Sequence, residues 1–149
     1  MTDCYACRMN AKPDLPLRER VYDDGRWRVA HAFNSTLAGW LVVLPRRHLR
    51  SLVELGPEEA AVLGPLLQRL SVALVTVTGC IKTYVALFAE ASGFEHLHIH
   101  VVPRMPDQPD DRRDPAIFGY LVEDESQWLP QLERDQLAAA VSAALSRPR

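Results

Sequence analysis

The sequence predicts a single domain of mixed α and β structure, and three stretches carry this prediction. Residues 96–102 alternate histidine and apolar side chains with the period of two that is typical of a β-strand. Asp23-Asp24-Gly25 lies between two runs of strand-forming residues, as in a hairpin. Leucines recur at helical spacing from Leu63 to Leu74 and indicate one long helix. A chain of 149 residues is long enough to bury a substantial core in one domain, so we expect 1–149 to be one unit.

The composition argues against several classes of partner. The 17 basic and 19 acidic residues give 17 − 19 = −2, which is not the charge of a general nucleic-acid or membrane binder. The first residues lack the apolar core of a signal peptide, and no apolar run is expected to span a bilayer. We therefore expect a cytoplasmic protein that forms no stable complex with nucleic acid and does not associate with membranes. In the cytoplasm, the two cysteines of a C-x-x-C motif, here Cys4 and Cys7, indicate a metal or redox site, whereas Cys80 is expected to be an ordinary thiol.

The pair is Cys4-Tyr5-Ala6-Cys7. A thioredoxin-type motif follows a strand and begins a helix, but only three residues precede this one. The spacing favours a zinc knuckle, which needs two further ligands. After a loop at 10–19, the hairpin strands are predicted near 20–22 and 27–33. In the second strand His31 faces either a pocket or the core, and the pattern does not separate these alternatives.

A short apolar run, Leu41–Leu44, predicts a central strand that Pro45 ends. The basic pair and histidine that follow, Arg46-Arg47-His48, either attract an anion or form a solvated loop. The long helix should begin at Gly56–Glu59, where proline suits the first position and acids suit the positive end of the dipole. Gly79 is the expected stop.

Residues 83–88 predict the next strand, and Glu90–Gly93 a turn into the histidine strand. The backbone N–H groups of this turn, together with Ser92, are candidates to hold an anion beside His98. Residues 105–115 contain three prolines and six charged side chains and predict an exposed loop. Residues 125–146 are helical in character, and we expect this amphipathic extension to pack on the domain or on a second subunit.

His96, His98 and His100 would share one face of their strand, opposite an apolar face. Alternate Cα atoms lie about 6.6 Å apart, so two neighbouring rings can act on one small group more easily than three can hold one ion. Imidazole titrates nearest neutrality, which points to proton transfer, nucleophilic attack or metal binding.

The stretch His96–Val102 resembles the signature of the histidine triad (HIT) superfamily, in which histidine alternates with hydrophobic residues. Residues 42–48 are similar to the family's apolar strand followed by proline, two basic residues and histidine. The order of hairpin, strand, long helix, strand and triad strand is also similar, over residues 4–104. The resemblance implies an α+β fold, an antiparallel sheet of about five strands with one long core helix and a C-terminal helical segment, and a homodimer.

The same resemblance implies an enzyme that hydrolyses or transfers nucleotidyl groups at the α-phosphate of nucleoside phosphates or phosphoramidates. The nucleophile would be His98, which forms a covalent nucleotidyl-histidine, and His100 would hydrogen-bond the phosphate or the leaving group. Substrate-binding residues would be Phe33, Asn34 and Ser92. The alternative is a module that binds a nucleotide or partner without turnover.

Family branches with a C-x-x-C motif, of a bacterial type, bind a structural zinc ion. Carried over, the ligands are Cys4, Cys7, His48 and His96, the Cys₂His₂ set of a closed tetrahedral site. A third function, less well supported, is a hydrolase whose catalytic metal is held by two triad histidines.

Three positions depart from the family pattern. Ala32 stands where an acidic residue often binds the ribose hydroxyls, and Trp40 replaces a small residue or histidine. Glu95 adds a negative charge directly before the triad.

Overall fold

The computed structural model describes residues 4–148. Its strands form one antiparallel sheet in the order β1-β2-β3-β5-β4. The strands are β1 (Tyr22–Asp23), β2 (Trp27–His31), β3 (Leu41–Pro45), β4 (Lys82–Leu87) and β5 (Ile99–Arg104), and the helices are α1 (Tyr5–Asn10), α2 (Pro57–Thr78) and α3 (Gln131–Leu145). The predicted α+β architecture is confirmed.

The sheet is covered on both faces, and strand alternation decides which side chains go where. One face packs against α2 and α3 and supplies residues such as Val29, Val43 and Val101 to the larger core. The other face supplies Val102 to a smaller core that is closed by residues of the C-terminal segment, including Ile117. Both faces of β2 are consequently buried over its whole length.

The long helix begins and ends as the sequence predicts. The Glu59 carboxylate accepts a hydrogen bond from the Gly56 N–H at 2.7 Å, and Gly79 takes the left-handed conformation at φ +74°. Leu66, Leu70 and other residues of one stripe are buried in the core. The leucine spacing of α2 therefore reflects packing of one helix face against the core.

The expectation that no apolar stretch is long enough to span a bilayer is wrong by length and composition. Helix α2 has 22 residues and a mean hydropathy of 1.6 over an 18-residue window. Only 22% of that window is buried inside the described chain, because α2 contributes one stripe to the core. The core helix of a globular domain passes the same test, so this observation alone assigns no membrane segment.

The histidine strand starts later than predicted. Strand β5 begins at Ile99, and residues 96–98 precede it as irregular chain. Here the Leu97 N–H donates to the carbonyl of Leu49 at 2.6 Å, outside the sheet. This detour brings the His96 ring beside His48, with 5.2 Å between ring centroids.

The C-terminal third contains more regular secondary structure than its composition predicts. Residues 105–115, predicted as a loop, include a short 3₁₀ helix and the buried Gln108, whose side chain bonds the backbone of Met105. The final helix begins at Gln131, since residues 125–127 form a separate 3₁₀ turn. Helix α3 packs on α2 of the same chain.

Candidate active site and metal centre

Two triad histidines lie side by side in one cavity. The rings of His98 and His100 have centroids 5.0 Å apart at an angle of 81°, and both line a cavity of about 660 Å³. That volume lies within the range of small-molecule sites. The two rings are neighbours, as the spacing in the sequence predicts.

The hydrogen bond of His98 fixes its tautomer. Its Nδ1 lies 2.8 Å from the carbonyl oxygen of His96. A carbonyl oxygen only accepts, so Nδ1 carries the proton and the lone pair of a neutral ring resides on Nε2. The ring therefore offers a nucleophilic nitrogen to the cavity that needs no separate base to activate it.

The Nδ1 atom of His100 faces a hydrogen-bond donor, whereas that of His98 faces an acceptor. The indole Nε1–H of Trp40 donates to its Nδ1 at 3.0 Å, and Trp40 is fully buried. Burial, with a smaller contribution from the neighbouring His98, lowers the pKa of His100 to about 3. Phe118 stands edge-on to the His100 ring at 5.0 Å.

The first triad histidine belongs to a second cluster. Its members offer ligand atoms that all lie within 4.8 Å of one another: Cys4, Cys7, His48 and His96. The Pro45 carbonyl lies 2.8 Å from Nε2 of His96 and holds the proton there. The unprotonated Nδ1 then faces the two thiols, at 3.7 Å from Cys4 Sγ and 3.6 Å from Cys7 Sγ.

These separations fit one tetrahedral ion. Metal–sulfur bonds of about 2.3 Å and metal–nitrogen bonds of about 2.0 Å place sulfur and nitrogen roughly 3.5 Å apart in a tetrahedron. The Cys7 Sγ–His48 Nδ1 distance is 3.3 Å, close to the same value. The Cys7 N–H also donates to Cys4 Sγ at 3.4 Å. Two thiolates and two neutral imidazoles are the donor set of a structural zinc site.

Aromatic side chains from four separate segments build one end of the cavity. Phe33 has ring centroids 5.2 Å from Tyr5, 6.2 Å from Phe94 and 5.3 Å from Trp128. Such faces suit a flat heterocycle. Only Phe33 was predicted; Trp128 lies in the C-terminal extension, and no local pattern marks it as part of a site.

A buried ion-pair network lies at the floor of this end. Both Arg18 and Arg28 pair with Glu19, and Glu19 and Arg28 are almost inaccessible to solvent. Tyr5 joins the network through its hydroxyl, which accepts from Arg18 at 3.0 Å. The network links α1 to β2, so the segment that carries the metal ligands also helps to shape the cavity.

The two remaining predicted substrate-binding residues, Asn34 and Ser92, have different outcomes. Asn34 lines the cavity with Phe33, as predicted. Ser92, predicted to hold an anion beside His98, is exposed and does not line the cavity; Phe94, whose N–H bonds the Ala91 carbonyl across this turn, lines it instead. We therefore do not retain Ser92 as a binding residue.

The two open alternatives elsewhere are decided by hydrogen bonds. His31 stands in the cavity wall, but it is fully buried and both ring nitrogens are satisfied, by the Ala32 carbonyl at 2.9 Å and the Gly39 N–H at 2.9 Å. These bonds give it a structural role. Arg46 pairs with Asp23, and Arg47 pairs with Glu59 at 2.8 Å. The basic pair before His48 thus anchors the loop to β1 and α2.

Comparison with known proteins agrees with this geometry. The family model described as HIT domain matches residues 17–107. A Zn-bound histidine triad family protein from Mycobacterium smegmatis is 24% identical, over 96% of this chain and 93% of that one, with a TM-score of 0.67. A hypothetical histidine triad nucleotide-binding protein from Sulfolobus tokodaii is 15% identical, over 95% and 91%, with a TM-score of 0.72.

A Hit-like protein involved in cell-cycle regulation from Bartonella henselae is 22% identical, over 84% of this chain and 85% of that one, with a TM-score of 0.65. The comparison with curated proteins gave no match. At these identities the solved structures establish the fold, and the family model establishes the family.

Proposed function

This chain belongs to the HIT domain family, and on that premise we propose that it is a nucleotide hydrolase or nucleotidyltransferase whose nucleophile is His98. The observation that carries the proposal is the bond between His98 Nδ1 and the His96 carbonyl, at 2.8 Å. It leaves Nε2 as the reactive nitrogen of a neutral ring in a cavity of nucleotide size.

In the proposed reaction, Nε2 of His98 attacks the α-phosphorus, and an N–P bond forms as the bond to the leaving group breaks. The leaving group departs with its electron pair and takes up a proton. Water then attacks the phosphorus, the N–P bond breaks, and a nucleoside monophosphate and a free His98 are released. His100 would hydrogen-bond the phosphoryl group, since phosphoryl transfer depends mainly on positioning and charge stabilisation.

The base would occupy the aromatic end of the cavity, against Phe33 and Trp128, with Asn34 near the sugar. Ala32 stands where relatives often have an acidic residue for the ribose hydroxyls, so the sugar would be held less firmly by direct bonds. Burial of the base then supplies a larger share of the binding free energy.

We also propose that Cys4, Cys7, His48 and His96 bind one structural zinc ion. The support is their common ligand cluster and sulfur–nitrogen distances close to those of a tetrahedral site. The Mycobacterium smegmatis relative is described as Zn-bound. Neither His98 nor His100 belongs to this cluster, which favours a structural over a catalytic ion.

A homodimer is the third proposal, and β4 supports it. This six-residue strand lies at the edge of the sheet, where one side of its backbone is free to pair. Val85 and the preceding Ile81 are 51% and 58% exposed, and Val75 on the adjacent α2 is 46% exposed. A second copy pairing antiparallel along β4 would cover this apolar surface.

A second candidate function is a nucleotide-binding module without turnover. It is favoured by the acidic groups around the cavity: Glu19 pairs with both Arg18 and Arg28, and Glu90 and Glu123 also line the cavity. Such a site offers little positive charge to stabilise the charge on a transferring phosphoryl group, which disfavours turnover.

The deciding experiment is mass spectrometry of the intact protein after brief incubation with an adenosine phosphoramidate. We expect an adduct of the mass of AMP on His98, and neither adduct nor hydrolysis with His98→Ala. Thermal unfolding of His98→Ala near the wild-type Tm would show that the fold survives. Nucleotide binding without adduct or hydrolysis would overturn the enzyme and support the binding module.

A further inference from the structure

The side chain beside His100 decides which of its nitrogens can carry a proton. Trp40 Nε1 lies 3.0 Å from His100 Nδ1. An indole N–H donates and has no lone pair to accept with. Nδ1 must therefore be the acceptor, and the neutral ring that results has its proton on Nε2.

The surroundings enforce this arrangement. Trp40 is completely buried and His100 is 8% exposed, so water has little access to replace the indole. Phe118 stands edge-on to both rings, with centroids 5.4 Å from Trp40 and 5.0 Å from His100. Protonation of Nδ1 would set two N–H groups against each other inside this enclosure. A buried donor without an acceptor is costly.

The neighbouring histidine has the opposite tautomer. His98 carries its proton on Nδ1, because the partner there is the His96 carbonyl. Two adjacent imidazoles in one cavity thus present different Nε2 atoms: a lone pair on His98 and an N–H on His100. One can attack a phosphorus while the other donates to an oxygen on it.

We propose that Trp40 is a positioning residue that holds His100 as the neutral Nε2–H tautomer, so that His100 acts as a fixed hydrogen-bond donor and not as the acid that protonates the leaving group. The chemical half of this statement rests on the proposed function. The tautomer does not, because it follows from the Trp40 contact alone.

A consequence for the reaction follows from the proton balance. A neutral imidazole that donates its Nε2–H keeps that proton, and protonation of Nδ1 is blocked by the indole. The proton taken up by the departing group therefore does not come from His100. Substrates whose leaving group is stable without immediate protonation are favoured, and the rate should fall steeply as the leaving group becomes more basic.

The tautomer can be measured without any substrate, by long-range ¹H–¹⁵N correlation of the histidine rings in the full chain at neutral pH. The His100 signals are assigned by their loss in His100→Gln. We expect a protonated Nε2 and an unprotonated Nδ1. A protonated Nδ1, in a neutral ring or an imidazolium, would overturn the proposal.

Trp40→Phe removes the N–H while keeping an aromatic ring, and we expect it to give a mixture of His100 tautomers. The matched control is Trp27→Phe, since Trp27 is equally buried and its indole donates to the Glu59 carbonyl at 3.0 Å, away from the cavity. That variant should leave the His100 pattern unchanged. An unchanged pattern in Trp40→Phe would overturn the role of the indole.

The kinetic readout separates positioning from stability. Trp40→Phe should lower kcat about 10- to 100-fold, as loss of a partner that orients a histidine does elsewhere, with KM changed less than about twofold. Trp27→Phe should keep the wild-type kcat. Equal kcat in Trp40→Phe and wild type would overturn the catalytic half. A fixed tautomer with no turnover by the wild type would instead count against the proposed function and leave the tautomer standing.

Discussion

At the residue scale, each histidine owes its chemistry to the partner of one ring nitrogen. Carbonyl oxygens place the proton on Nδ1 of His98 and on Nε2 of His96, whereas the Trp40 indole keeps it off Nδ1 of His100. The same side chain is thereby suited to three different proposed roles: nucleophile, metal ligand and hydrogen-bond donor. The sequence reveals the row of imidazoles, but these partners lie on other segments or in the backbone.

His31 provides the pH-dependent prediction at this scale. Burial lowers its pKa to about 4 in the folded state, against 6.5 for an ordinary histidine. A group whose folded pKa is depressed contributes stability above its unfolded pKa, and that contribution is lost as the pH falls through the folded pKa. In the unfolded chain His31 is protonated below about pH 6.5, whereas in the folded chain it stays neutral down to about pH 4.

We therefore expect His31 to lower the free energy of unfolding by about 3 kcal/mol as the pH falls from 6.5 to about 4. Each unit of difference between the folded and unfolded pKa is worth about 1.4 kcal/mol. His31→Gln, which does not titrate, should be less stable at neutral pH and should show a flatter dependence. Urea unfolding at intervals of pH measures both slopes. Equal slopes in the two proteins would contradict this account of His31.

At the element scale, β4 and the adjacent α2 both leave apolar side chains partly exposed, including Val85 and Val75. Strand β4 pairs with β5 through six residues on one side, and Ser71 on α2 meets Thr83 on β4 at 2.7 Å. The strand at the other edge, β1, has only two residues. Self-association through β4 is accordingly better supported than association through β1.

The double variant Ile81→Glu/Val85→Glu tests the proposed dimer. Like charges along two facing strands repel, so we expect the variant to be a monomer while the wild type has twice the chain mass of 16.8 kDa. Light scattering after gel filtration gives both masses. Val53→Glu, at a side chain 90% exposed outside β4, should remain a dimer. A monomeric wild type at high micromolar concentration would refute the proposal.

At the scale of the whole molecule, the structural features that can be predicted from the sequence are those that depend on short local patterns of residues. The hairpin at Gly25 and the cap at Gly79 are each readable within a few residues, and the structure has both. The row from His96 to His100 is only partly a strand, since β5 begins at Ile99. The metal set required the family resemblance, because its members are up to 92 positions apart.

The cavity wall could not be predicted in this way. Phe118 and Trp128 reach the site only because the C-terminal segment folds back over the sheet face that holds Val102. Their sequence neighbourhood is rich in proline and charge, which is typical of an exposed loop. Likewise, alternation alone does not predict that β5 begins only at Ile99 or that the His96 ring lies beside His48.

The proposed zinc ion would join three segments at one point: the N-terminal Cys4–Cys7 turn, the loop at His48 and the chain entering β5 at His96. Closing such long loops restricts the unfolded chain, and the binding free energy of a metal that the unfolded chain lacks is added to folding. His96 also supplies the carbonyl that orients His98. Metal binding is thereby coupled to the position of the proposed nucleophile.

Zinc removal should therefore lower stability first. We expect one zinc per chain by metal analysis, and a fall in Tm on chelation of about 3 °C for each kcal/mol lost. Cys4→Ala and His48→Ala should have the lower Tm already and should not respond to the chelator. Cys80→Ala, which removes a buried thiol outside the cluster, should keep its zinc and its chelator response. A full complement of zinc in Cys4→Ala would rule out Cys4 as a ligand, and a wild type without metal that unfolds at the same temperature with and without added zinc would rule out the site.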